Sequence, residues 1–375
     1  MFWNILILFA YGIYKSHSLL DQDEDWNFFH SATWSNIENS LNFGEIKGYY
    51  SIDEFENYLL PTYQQNFPEI IANVVDIGNT REGLRIYAIQ LTYEASRPQK
   101  MTPTPINSFV NSYSDRPAIL LTGMHEGSDP TSMMIVIYTL KKFIFGYVKN
   151  DPSYMHLLKT RQIWLIPFLN KDTYTNLIEY FLETGKIPTL FSIKNRRPLG
   201  CVKFDGVYLR QNYPQSDTGD FDRGYPCDYD YAGESALSEP ETIAMNGLLD
   251  KVTFSVAFNF FLTRDALLVP LNYLASKDYS NPAFYKKDED YSIFEEIYLR
   301  SGMNKITELR NTYSKDNTIY QGDVTDYMYW KKGIYALSVE IKRRTIYKAT
   351  QNILTPAEKL DLLQDYYPLI QYSTF

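Results

Sequence analysis

Histidine is scarce in this chain. The 375 residues hold four, His17, His30, His125 and His156, and none follows His156. Any metal site needing an imidazole from the C-terminal half is therefore excluded. Cysteine is scarcer still: Cys201 and Cys227 are the only two. They make one disulfide if the chain enters an oxidising compartment, and two buried thiols if it does not. Closing that loop of about 25 residues would stabilise the fold by about 3.5 kcal/mol in the chain-entropy view. Positive charge is in deficit, with 36 Lys and Arg against 45 Asp and Glu, a net charge of −9. That argues against nucleic acid or an anionic membrane surface as a partner. Internal repeats, low-complexity segments and N-x-S/T sequons are all missing.

Long apolar runs are also few. The one that stands out is N-terminal, "MFWNILILFAYGIYKSHSLLDQ". Its apolar part is about 13 residues, short of the roughly 20 that a bilayer span needs. Ser16-His17-Ser18 offers small residues where a signal peptidase reads, so residues 1–18 read as a signal peptide. A retained membrane-associated N-terminus is the alternative, because no basic residue precedes the run. Residues 19–47 form a short N-terminal segment and 48–375 the folded domain. What is plentiful is tyrosine, 33 residues spread along the chain as half-buried packing.

The patterning mixes helices and strands with no linker, which argues for one α/β domain. "SIDEFENYLLPTYQQNFPEI" has helical periodicity with a Ser51 cap, and "IANVVDIGNTREGLRIYAIQLTYE" is a hairpin. "ASRPQKMTPTPINSFVNSYSD" is a surface loop. "AILLTGM" and "QIWLIPFL" are buried strands. Asp129-Pro130 starts a buried helix, "DPTSMMIVIYTLKKFIFGYV", and "DPSYMHLLKTR" is a short one. The stretch 171–235 reads as irregular. "SEPETIAMNGLLDK", "SIFEEIYLRSGMNKITELRNTY" and "TPAEKLDLLQDYYPLIQ" read as helices; "VTFSVAFNFF", "ALLVPL" and "IYALSVEIK" read as strands.

These segments stand in an order that resembles the zinc carboxypeptidases of the carboxypeptidase A/B group. "ILLTGMHEGSDPTS" falls where that family has G-x-H-x-x-E, and "IPFLNKDTY" resembles its N-P-D-G-Y turn. "IKNRRPLG" resembles R-K-N-R-R-P, and "FDGVYLRQNYP" resembles G-V-D-L-N-R-N-F-P. "PCDYDYAGESALSEPET" is nearly complete against the family's P-C-S-x-x-Y-x-G-x-x-A-x-S-E-P-E-T. The resemblance covers nearly everything after residue 48. It implies a single α/β domain with a twisted, mixed eight-stranded sheet, helices on both faces and a cleft at the strand ends. It also implies that Cys201 and Cys227 pair.

The same resemblance implies a site that has lost its chemistry. A catalytic zinc takes three protein ligands and an open position for water. His125 keeps the first ligand position. Ser128 stands at the second, and Phe261 at the third, where the family has histidine. Glu126 and Asp129 are poor substitutes: the first points away from His125, and the second reads as a helix cap. Gln211 stands where the family's arginine clamps a substrate carboxylate, and Ile193 where another polarises the scissile carbonyl. Arg210 brings a cation one residue away, but neighbouring side chains of an extended segment face opposite ways. Arg196 or Arg197 could replace the arginine missing at 193. Glu340 keeps the general-base position, Asn212 a substrate-binding one and Tyr320 the capping tyrosine.

The expectation is a catalytically inactive carboxypeptidase-like protein of the secretory pathway, extracellular or endolysosomal. It would take no cofactor and bind an unidentified protein or peptide through an apolar, tyrosine-lined cleft. The alternative is an active metallocarboxypeptidase with atypical zinc ligands.

Overall fold

The computed structural model describes residues 26–40, 44, 46, 48–184, 193–203, 205–215, 223–261, 266–270, 290–303, 308–311, 321–341 and 356–374. Helices α1 (Trp26–Ser31) and α2 (Trp34–Ser40) come first, then a π-helical turn (Glu54–Leu59) running into α3 (Leu60–Asn66). The hairpin strands β1 (Ile71–Asn79) and β2 (Arg85–Leu91) follow, then the two-residue β3 (Thr104–Pro105) and β4 (Ala118–Thr122). Next are α4 (Pro130–Val148), α5 (Pro152–Thr160), β5 (Gln162–Ile166) and α6 (Lys171–Thr184). The second half holds α7 (Pro240–Lys251), β6 (Phe254–Phe261), β7 (Ala266–Val269), α8 (Asp290–Arg300) and β8 (Glu308–Asn311). Helix α9 (Val324–Lys332), β9 (Tyr335–Glu340) and α10 (Pro356–Thr374) complete the set.

All strands join one mixed sheet in the order β3-β1-β2-β5-β4-β6-β9-β7-β8. The expected eight strands are present, and β3 adds a minimal edge to them. The centre, β5-β4-β6-β9, is parallel, with the β1–β2 hairpin antiparallel on one flank. Side chains alternate across a strand, so a sheet covered on both faces needs apolar residues at every position. "AILLT" and "QIWLI" supply them. Ile119, Leu121, Ile163 and Leu165 face one apolar cluster, and Leu120, Trp164 and Ile166 face the other. Helices α4 and α10 cover the first face; α7 and α9 cover the second. The N-terminal segment shares the first cluster through Phe29 and Ile37, both fully buried.

Local signals act as the sequence suggests. The Ser51 hydroxyl accepts from the Glu54 amide while the Glu54 carboxylate accepts from the Ser51 amide, a reciprocal cap. Asp129 caps α4 by accepting from the Thr131 and Ser132 amides, each at 3.1 Å. Helix α4 is long and apolar enough to cross a membrane, yet 83% of that stretch is buried inside the fold, as a core helix would be.

Two expectations fail. Residues 171–184 are not irregular but form α6, whose Tyr174 and Leu177 are buried one turn apart. The predicted long helix "SIFEEIYLRSGMNKITELRNTY" stops at Arg300, and its C-terminal part supplies β8, parallel to β7. Tyr320 lies outside the described residues.

Candidate functional site

The parallel strands β4, β6 and β9 end on the same side of the sheet. In such sheets ligands sit beyond the carboxyl ends. Phe261 and Glu340, the last residues of β6 and β9, are register partners. From β4 the chain turns sharply to deliver His125. Gly123 passes so close to α4 that a Cβ would fall 2.9 Å from the Met133 amide nitrogen. Met124 takes a left-handed conformation, φ 55°, unusual for a residue with an unbranched apolar side chain. Its amide donates to the Ser132 hydroxyl at 2.9 Å. Gly127 packs on Thr173, 2.4 Å from where a Cβ would sit. The turn thus drives His125 inward, where it is 0% exposed.

His125 has apolar and cationic company. Its Nε2 lies 3.3 Å from the Tyr213 hydroxyl, and its ring centroid 5.6 Å from that of Phe261. Nδ1 has no hydrogen-bond partner among the described residues. Burial first, and Arg210 second, push its pKa down to about 3, so the imidazole is neutral at physiological pH. Phe261 therefore meets His125 ring to ring, at the position where the family pattern places a second imidazole.

Arg210 occupies the heart of the site, which corrects the expectation drawn for it. Leu209–Gln211 is a 3₁₀ turn and not an extended segment, so the argument from opposite-facing neighbours does not apply. The guanidinium turns inward and is fully buried. Its Nε donates to Asp323 at 2.7 Å and its Nη1 to Glu340 at 2.9 Å. Its Cζ lies 4.1 Å from the centroid of the Phe261 ring. Asp323 and Glu340 are fully buried as well. Asp323 also caps α9 by accepting from the Thr325 amide at 2.7 Å. Glu340 Oε2 has no hydrogen-bond partner among the described residues.

The other candidate positions belong to the scaffold or the interior. Ser128, Gln211 and Ile193 are all buried, at 6%, 7% and 8% exposure. Asn212 donates to the carbonyls of Ala232 and Ser235 and to Ser238 Oγ, and accepts from Thr242 Oγ1. Its hydrogen bonds thus hold the chain leading into α7. Arg196 pairs with Glu82, and Arg197 with Glu234 and Glu239, so neither takes the place of an arginine at 193. Glu126 accepts from the Tyr208 hydroxyl at 2.7 Å. His125, Phe261, Arg210 and Glu340 do come together. All four side chains are fully buried. Among the described residues no three His, Cys, Asp or Glu side chains converge to hold a metal ion.

The motifs that survive intact explain one another. Glu239, from "SEPET", receives Arg81 from the β1–β2 turn, plus Asn195 and Arg197 from "KNRRP". Burial pushes its carboxyl up, but those hydrogen bonds prevail and hold it below the usual range. Cys201 and Cys227 are bonded, with Cα atoms 5.5 Å apart. Asp323 is the functional-site residue that the sequence reading missed. Its signal was the Asp-Val-Thr start of α9, a helix-cap pattern.

Comparison with known proteins gives the same outline. The zinc carboxypeptidase family pattern matches residues 57–362. Rat (Rattus norvegicus) carboxypeptidase D is 23% identical over 228 residues, 60% of this chain and 15% of that protein. An inactive metallocarboxypeptidase of Arthroderma gypseum is 25% identical over 170 residues, 45% of this chain and 25% of the relative. The chain thus matches only a small part of the length of these relatives. The crystal structure of carboxypeptidase A from Helicoverpa armigera superposes with a TM-score of 0.64 at 14% identity. It covers 87% of this chain and 73% of that one, a likeness of fold alone. Strand order, disulfide, scaffold motifs and family match together make this chain a member of the zinc carboxypeptidase family.

Proposed function

We propose that this protein does not hydrolyse peptides and instead serves as a carboxypeptidase-like binding protein or complex subunit. The observation that carries the reading is the ring of Phe261, packed against His125 where a zinc site would need a ligand. A benzyl ring has no donor atom, and Ser128 offers a neutral hydroxyl in place of a carboxylate. The residues present therefore do not fit zinc, whose sites want three nitrogen, sulfur or carboxylate donors and an open position. Without the metal no activated water forms for Glu340 to deprotonate. Similarity to a relative that is itself described as an inactive metallocarboxypeptidase supports the reading.

The remaining role is one of surface: recognition of a protein or peptide partner, with no nucleic acid involved at a net charge of −9. The disulfide supports passage through the secretory route, to the outside or the endolysosome. The test is metal content and turnover together. Purified protein is expected to hold far less than one zinc per chain and to release no C-terminal residue from peptides with aliphatic, aromatic or basic ends. Near-stoichiometric zinc lost on His125→Ala, with release of C-terminal residues, refutes the reading and installs the active-enzyme alternative.

A further inference from the structure

The described site does more than lack zinc ligands at two positions; it holds a cation of its own. We propose that Arg210 is the resident counter-charge of this site, its guanidinium supplying between Glu340 and Asp323 the positive charge that the lost ligand set no longer brings. The inference deepens the non-catalytic reading above and rests on it.

Four observations converge. Both carboxylates are fully buried and both reach the same guanidinium, at 2.7 and 2.9 Å. Two buried carboxylates without a cation between them would be strongly disfavoured, since burial penalises charge and like charges repel. The guanidinium carbon also lies over Phe261, 4.1 Å from its centroid, in cation–π contact. The same ring that excludes a metal ligand is therefore the platform that seats the replacement cation. Finally, Glu340 Oε2 remains without a hydrogen-bond partner among the described residues. A carboxylate with one oxygen engaged and one idle suits a site once arranged around another electrophile. The geometry comes from the Leu209–Gln211 turn, which aims residue 210 inward while leaving Gln211 beside it.

If Arg210 supplies the charge, its removal should leave two buried carboxylates uncompensated, and neutralising them should relieve the cost. Four proteins decide the matter: wild type, Arg210→Met, Arg210→Met/Glu340→Gln, and Arg210→Met/Glu340→Gln/Asp323→Asn. Methionine keeps much of the arginine stem's apolar volume and removes its charge. The urea midpoint of Arg210→Met is expected to fall, and the triple variant to recover at least half of the loss, because all three charges leave together. Arg210→Met/Glu340→Gln is expected to fall between Arg210→Met and the triple variant. The inference is overturned if the triple variant is no more stable than Arg210→Met. If Arg210→Met does not fold and the triple variant does, the charge coupling stands. If neither folds, stem packing and not charge is what the residue provides, and the inference falls. A wild type already holding one tightly bound zinc would refute the non-catalytic reading itself, an outcome separate from uncoupled variants of a metal-free protein.

Discussion

Restoring ligands without removing Arg210 should fail. Ser128→Glu with Phe261→His rebuilds the ligand pattern around His125 on paper. The structure adds an obstacle: the Arg210 guanidinium carbon lies 4.1 Å from the centre of the ring being replaced. Two unit charges about 4 Å apart interact with about 4 kcal/mol at an effective dielectric of 20, so a dication would meet about twice that repulsion. Glu340 and Asp323 are present in both variants compared, so their contribution cancels. Local relaxation reduces the repulsion, and a difference of about 3 kcal/mol is conservative, or roughly a hundredfold in affinity. The double variant should therefore bind zinc at least about a hundredfold more weakly than the triple variant that adds Arg210→Asn, the residue of the family pattern. Phe261→His also buries an imidazole in a fully buried apolar position, at about 2–4 kcal/mol of stability. Zinc titration against a competing chelator measures the ratio, with urea unfolding as a check that both variants are native. Affinities within threefold of each other would refute the electrostatic argument.

Two further outcomes concern the scaffold. Replacing Cys201 and Cys227 with serine opens a link of 26 residues' separation and should cost about 3.5 kcal/mol in urea unfolding; a loss under 1 kcal/mol would show that the unfolded chain is already constrained there. Glu241 is buried, accepting from the Arg81 amide and Asn195 and sensing Asp172, and burial raises its carboxyl to about 7. Its unfolded value is about 4.3, so its contribution is fully present below that and lost as pH rises through 7. Glu241→Gln should therefore flatten the decline of the urea midpoint between pH 4.5 and 7.5. Parallel curves for the two proteins would contradict that assignment.

Much of the fold can be read from the sequence because its signals are local. Continuous apolar runs mark the central strands, Asp129-Pro130 marks the start of α4, and the reciprocal Ser51–Glu54 cap marks the helical turn that runs into α3. Helix α6 is harder to read, since its apolar stripe of Tyr174, Leu177 and Ile178 is short and flanked by polar residues. Strand β8 hides because Glu308–Asn311 looks helical by propensity and becomes a strand only by pairing with β7. At the site, absent ligands are legible by counting histidines. The inward turn of Arg210 is not: it depends on a 3₁₀ turn and on Asp323, 113 residues later. Neither periodicity nor motif spacing encodes such a meeting.

Helix α4 carries a consequence for how the chain comes to be folded. Sixteen of its 19 residues are buried, and its neighbours come from distant parts of the sequence. α1 and α2 precede it, while α10 is made long after it. One ammonium group, Lys142, is ringed by Trp34 of α2, Tyr138 of α4 itself and Tyr367 of α10. Roughly 200 residues separate α4 from α10, so on a ribosome adding 5–20 residues per second the helix stays uncovered for about 10–40 s. Throughout that interval the most apolar helix of the described fold presents an adhesive face to its surroundings. Vectorial synthesis therefore leaves the chain open to self-association until α10 arrives. Loss of the last helix should leave an aggregating chain and not a slightly weaker one.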